Sequence, residues 1–176
     1  MQRFVALFRG INVGGKHSLP MKELTGLLEQ LGCKDVRSYI QSGNVTFSTD
    51  QKDRHALAEA ISDKVEQAKG FAPKVWLLDA KQWRRAVDNN PFPTDVGKAL
   101  HLFFLEAEPE GPDLQGLATL KADNESFALV DDVFYLHAPD GIGRSKLVEK
   151  LGRYIKVPMT ARNWNTVAKL SEMLDG

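Results

Sequence analysis

The sequence predicts an α+β protein built as two tandem ferredoxin-like halves, each βαββαβ plus one helix, with mostly antiparallel sheets and helices on one face. Three observations carry this reading. Short apolar runs alternate with segments whose apolar residues recur at helical spacing. The same order of segments is read on either side of Asn89-Asn90-Pro91-Phe92-Pro93, the clearest break in the chain. In each half, two adjacent strand-like runs are separated by only a few turn-forming residues, the mark of a hairpin. The halves are expected at 1–93 and 94–176. Neither commands a large core alone, so they are expected to pack tightly or to exchange strands.

In the first half, Arg3 to Phe8 is an apolar run that reads as a buried strand. Gly10 to Leu19 is a Gly-rich loop. Pro20 suits the first position of a helix carrying Met21, Leu24, Leu28 and Leu31, which Gly32 can end. Val36 to Ile40 and Val45 to Ser48 read as strands joined near Ser42-Gly43, where Gly and Asn supply positive φ. Asp50 can cap a helix with Leu57, Ile61, Val65 and Ala68 that stops at Gly70. Lys74 to Leu78 is a strand, and Asp79 can cap a short helix with Trp83 and Val87.

After the break, Ala99 to Leu105 is a strand and Leu114, Leu117 and Leu120 mark a helix. Phe127 to Val130 and Val133 to Ala138 form a hairpin about Asp131-Asp132. A helix is expected from about Ser145 to Gly152, then a short strand from Tyr154 to Val157 stopped by Pro158. Thr160 is expected to cap a last helix with Trp164, Val167, Leu170 and Met173, in which Trp164 is core rather than a base-stacking platform.

Composition excludes several classes. The 176 residues are 43% apolar and 26% charged, an ordinary globular balance that can bury a core. The one cysteine, Cys33, excludes an intrachain disulfide and fits a reducing compartment. No apolar run reaches the ~18–20 residues of a membrane span, and the start is too short in apolar residues for a signal segment. A cytoplasmic location, no membrane association and a monomer or weak homodimer are expected. The formal net charge is zero, but it is unevenly spread. Residues 95–140 hold 10 acidic and 2 basic side chains, whereas 141–170 hold 7 basic and 1 acidic. Either the blocks neutralise each other, or the basic one is an anion-binding face.

Three stretches could carry chemistry. The first, Gly10-Ile11-Asn12-Val13-Gly14-Gly15-Lys16-His17, has the glycine spacing and lysine of a phosphate loop. His17 stands where that loop needs a magnesium-binding hydroxyl, and Lys16 is separated from the helix start. A nucleoside triphosphatase is therefore disfavoured. What remains is either a plain tight turn or an amide nest at Gly14 and Gly15, flanked by Arg9, Asn12 and Lys16, that holds a phosphate or carboxylate. The second is the turn Gln41-Ser42-Gly43-Asn44, which is either a simple hairpin or a source of paired amides from Gln41 and Asn44. The third joins Gly141-Ile142-Gly143-Arg144-Ser145-Lys146 to Thr160-Ala161-Arg162-Asn163-Trp164-Asn165-Thr166. Both segments are expected to open helices, whose N-termini attract anions. Arg144, Lys146 and Arg162 would then sit where positive charge opposes the helix dipole, a mismatch that points to a ligand. The alternative is that they pair with the acidic block. His17, His55, His101 and His137 lack metal-ligand spacing, and Cys33 lies at a helix end, where a thiol is not activated. No cofactor or metal is expected, and no spacing selects a catalytic set, so which residues would be catalytic stays open.

Phe8-Arg9-Gly10-Ile11-Asn12-Val13-Gly14-Gly15, Tyr39-Ile40-Gln41-Ser42-Gly43-Asn44-Val45 and Thr160-Ala161-Arg162-Asn163-Trp164-Asn165-Thr166 together resemble the bacterial family catalogued as domain of unknown function 1697. The resemblance covers nearly the whole chain and implies a duplicated α+β fold of ferredoxin-like halves. It implies no activity. The leading expectation is a module that binds a phosphate-bearing ligand, a nucleotide or nucleic acid, through the Gly-rich loop and basic helix N-termini. A small enzyme acting on an anionic metabolite in a cleft between the halves, and a protein-interaction or assembly domain, are the alternatives.

Overall fold

The computed structural model describes residues 1–176 throughout. Strands β1 (Gln2–Arg9), β2 (Lys34–Tyr39), β3 (Asn44–Thr49) and β4 (Lys74–Asp79) are interleaved with helices α1 (Met21–Gln30), α2 (Arg54–Lys69) and α3 (Ala80–Asp88). Then follow β5 (Leu100–Leu105), α4 (Leu114–Leu120), β6 (Ser126–Val130), β7 (Val133–His137), α5 (Lys146–Ile155), β8 (Met159–Asn163) and α6 (Trp164–Asp175). The protein is α+β, with two four-stranded antiparallel sheets. The chain divides into two compact units. One comprises Met1–Arg85 together with Ala168–Gly176, and the other comprises Ala86–Val167.

In the first unit the strand order is β2-β3-β1-β4. Alternation along β1 turns Phe4, Ala6 and Phe8 to one face, where Val45, Phe47 and Leu77 join Leu24 and Leu28 of α1 and Leu57, Ile61 and Val65 of α2. Val5 and Leu7, on the other face of β1, are also buried. The α2 cap is Asp53, not the expected Asp50: its Oδ1 accepts from Ala56 N at 3.1 Å. The amide three positions after the cap is the donor that a capping carboxylate reaches. Pro20 flanks α1 in extended conformation (ψ 140°) rather than opening it. Asp79 and Gln82 cap α3 reciprocally: Gln82 N donates to Asp79 Oδ1 at 2.8 Å and Asp79 N to Gln82 Oε1 at 2.9 Å. The last turns of α6 complete this unit. Arg3 donates to the Met173 carbonyl, Trp83 Nε1 to Ser171 Oγ, and Arg84 pairs with Asp175.

In the second unit the order is β6-β7-β5-β8. Phe103, Leu105, Phe134 and Leu136 pack with Leu117 of α4 and Leu147, Leu151 and Ile155 of α5. Tyr135 is fully buried on the other face of β7, and its hydroxyl donates to the Ala86 carbonyl. Two expectations are corrected here. Tyr154–Val157 is not a strand, because Leu147, Leu151 and Ile155 continue one buried stripe at four-residue spacing and draw α5 on to Ile155. Lys156 then stops the helix in the left-handed conformation at φ 62°. Thr160 caps nothing; it lies in β8 beyond Pro158, and Asn163 accepts from Thr166 N at the head of α6.

Candidate anion-binding loops

The Gly-rich loop is a small hairpin. Lys16 N donates to the Val13 carbonyl and Asn12 N to the His17 carbonyl, each at 3.0 Å. Gly14 (φ 59°) and Gly15 (φ 73°) form its tip, both in the left-handed region that suits a two-residue hairpin turn. The Lys16 amide is therefore spent in the turn, and α1 starts only at Met21. A phosphate loop that cradles its ligand at a helix N-terminus is not formed here. The side chains of Arg9 and Lys16 are exposed.

Asn12 holds this hairpin in place. Its Nδ2 donates to the Leu19 and Gln41 carbonyls, each at 2.8 Å, and its Oδ1 accepts from Leu19 N at 2.6 Å. Every polar atom of its side chain is engaged, so Asn12 is a brace rather than a ligand-binding amide. His17 accompanies it, with Nδ1 3.0 Å from the Gly10 carbonyl and its ring stacked on Phe71.

The β2–β3 turn departs from expectation at Asn44. That residue is extended, opposite Tyr39, and fully buried. Its Nδ2 donates to Tyr39 O at 3.2 Å and Ser42 Oγ at 3.1 Å. The positive φ falls instead on Gly43 (79°) and on Ile40 (50°), a β-branched residue for which this conformation is costly. Gly43 has a second reason to be glycine: a Cβ there would lie 2.7 Å from Phe8 Cβ and 2.9 Å from Ile11 Cδ1. Of this turn's two amides, only Gln41 presents its side chain to solvent.

Arg144, Lys146, Arg162 and Asn163 belong to the second unit. Ser145 caps α5, its Oγ accepting from Val148 N at 3.2 Å. Arg144 precedes the cap and Lys146 is the first helical residue; both are exposed. The charge-against-dipole mismatch thus holds for Lys146, although Glu149 shares the first turn. Arg162 is different. It lies in β8 opposite Leu102, and Nη1 donates to Thr160 Oγ1 and the Ala161 carbonyl, each at 2.8 Å. Burial lowers its pKa to about 10. The guanidinium is built into its own strand rather than into a helix N-terminus. Asn163 is the cap of α6, and Trp164 is half-buried at its start.

Sequence reading passed over a set of polar groups on the first sheet. Thr46 stands opposite Val5 and Trp76 opposite Leu7, on the face turned away from Phe4, Ala6 and Phe8; Arg3 shares that face. Thr46 Oγ1, Trp76 Nε1 and Arg3 Nε are buried without a hydrogen-bond partner. Lys74 Nζ lies 5.7 Å from the Trp76 ring centroid. The signal is the strict alternation Asn44, Thr46, Ser48 against Val45 and Phe47, which marks a polar stripe backing an apolar one.

Residues 1–135 match the model of the family described as protein of unknown function (DUF1697). The chain is also similar to a solved structure, that of conserved bacterial protein SP0830 from Streptococcus pneumoniae. The identity is 28% and the TM-score 0.69, with 98% of each chain covered. A comparison with curated proteins found no match.

Proposed function

We propose that this chain, which belongs to the DUF1697 family of proteins of unknown function, is a recognition module for phosphate-bearing ligands such as a nucleotide or a nucleic-acid strand. The observation that carries the reading is the brace at Asn12, which ties the Gly10–His17 hairpin to the Gln41 carbonyl. Lys16 and the Gln41 amide are thereby presented from loops whose backbones are already ordered, beside Arg9 at the end of β1. Binding then costs little further loop entropy. The capped N-terminus of α5, with Arg144 and Lys146, offers a second cationic patch within its own unit. The acidic block at residues 95–140 repels anions and keeps affinity modest.

We also read each unit as ferredoxin-like and the pair as a duplication. The corresponding strand orders β2-β3-β1-β4 and β6-β7-β5-β8 support this.

The test is a titration of wild type, Lys16→Ala and Lys146→Ala with a nucleoside triphosphate and a short single-stranded oligonucleotide, at about 50 and about 200 mM salt. Each substitution is expected to weaken binding roughly ten- to a hundredfold, the value of one charge-assisted hydrogen bond, and added salt to weaken the wild type. Absence of wild-type binding to both ligands at the lower salt rejects the reading.

A further inference from the structure

Strand β6 is an edge of the second sheet, hydrogen-bonded to β7 on one side only. The other three edge strands each carry something that discourages pairing. Strand β2 has a register shift between Lys34 and Arg37, a left-handed Asp35 (φ 50°) and exposed charges at all three residues. On β4, Arg54 from α2 reaches the Leu77 carbonyl at 3.5 Å. On β8, Arg162 takes up the Ala161 carbonyl at 2.8 Å. Strand β6, Ser126-Phe127-Ala128-Leu129-Val130, has no charge, no proline and no bulge, and it pairs with β7 in unbroken register. Such an edge is a template for another strand.

Its side chains favour the same event. Phe127 stacks on Phe134 with ring centroids 5.5 Å apart, and Phe127 and Leu129 are half-buried against the core of their unit. An added strand would extend that apolar layer. The ends of β6 carry exposed acids: Asp123 precedes it, Asp131 and Asp132 follow it, and Asn124 holds Asp140 nearby at 2.9 Å, whereas Glu125 is buried and accepts from Ala122 N. Antiparallel pairing with a second copy about Ala128 would bring the exposed Asp131 and Asp132 of one copy toward the exposed Asp123 of the other, a like-charge approach that disfavours self-association.

We propose that β6 is a docking edge for an extended segment of another protein, apolar at its centre and basic at both ends, which adds to the second sheet as a fifth strand. Main-chain hydrogen bonds supply affinity and the acidic ends supply selection.

The test uses the full chain and a labelled peptide of alternating valine and threonine with two lysines at each end, beside a version ending in glutamates. Fluorescence anisotropy should show binding of the lysine peptide alone, weakened by salt, with amide shifts at residues 126–130. Ala128→Lys, which gives this edge the charge that β2 carries, should weaken binding roughly tenfold or more. The pair Asp131→Asn and Asp132→Asn, both on exposed turn residues, should weaken it about threefold and flatten its salt dependence. If Ala128→Lys does not fold, the aspartate pair decides. The proposal fails if neither peptide binds, if the glutamate peptide binds equally well, or if the aspartate pair leaves binding and its salt dependence unchanged. A concentration-dependent dimer abolished by Ala128→Lys would assign the edge to a second copy instead and overturn the proposal.

Discussion

Asn12 and Gln41 are joined by one hydrogen bond, Nδ2 to carbonyl at 2.8 Å, across 29 residues of sequence. With the two bonds to Leu19, that side chain fixes a loop of eight residues against the neighbouring turn. Asn12 also adopts φ 54°, which asparagine tolerates better than most residues. Asn12→Ala is therefore expected to cost roughly 2–3 kcal/mol, from lost partners and backbone strain together. Urea melts measure it. A cost under about 1 kcal/mol would show that the loop finds other partners.

Gly43→Ala places a Cβ against Phe8 and Ile11 in a left-handed residue. The expected loss is roughly 2–4 kcal/mol, summing overpacking and left-handed strain. Calorimetry should show a lower melting temperature, and pairing the change with Ile11→Val should recover part of it.

Leu28 is 1% exposed in the first core. Leu28→Ala should cost about 2–5 kcal/mol in chemical denaturation, as truncation of a buried leucine does.

Stability should fall in alkali. Burial pushes the Cys33 thiol from 9.0 up to about 11. The Tyr135 phenol is raised by burial first, and then by Asp132 and Asp131. Both groups bind protons more tightly in the folded state, so their contribution is complete below the unfolded values and is lost as pH climbs through the folded ones. For Cys33 the window is pH 9 to about 11 and the loss about 2–3 kcal/mol. Cys33→Ala should make the stability profile flatter over that window than wild type.

Arg162 is a structural arginine in this fold. Arg162→Ala leaves Thr160 Oγ1 and the Ala161 carbonyl without their donor and should destabilise the second unit by about 1–3 kcal/mol. Refolding yield and thermal melts read this directly. An unchanged melting temperature would show that these two bonds do not stabilise the strand.

Most strands and helices were legible because their signals are local. Leu57, Ile61 and Val65 announce α2, and Gly70 ends it at φ 84° as a left-handed cap. What escaped depends on competition between neighbouring signals. Asp50 and Asp53 are both chemically fit to cap, and only the turn geometry selects Asp53. Pro158 reads in sequence as the end of a strand, whereas α5 has already ended at Ile155 and the strand begins after the proline. That single shift moved Arg162 out of a helix turn and into a sheet. Among the candidate site residues, composition picked out the exposed cations Arg9, Lys16, Arg144 and Lys146. It could not separate them from Asn12, Asn44 and Asn163, whose side chains hydrogen-bond to the chain around them.

The first unit is discontinuous in sequence, since Ala168–Gly176 complete it after the whole of Ala86–Val167 has intervened. On a ribosome, which releases the chain from its N-terminus, the contiguous second unit emerges whole while the first still lacks partners. The Met173 carbonyl for Arg3, Ser171 for Trp83 and Asp175 for Arg84 all arrive last. The unit that starts first is thus finished second, and deletion of residues 168–176 is expected to destabilise the unit that holds residues 1–85.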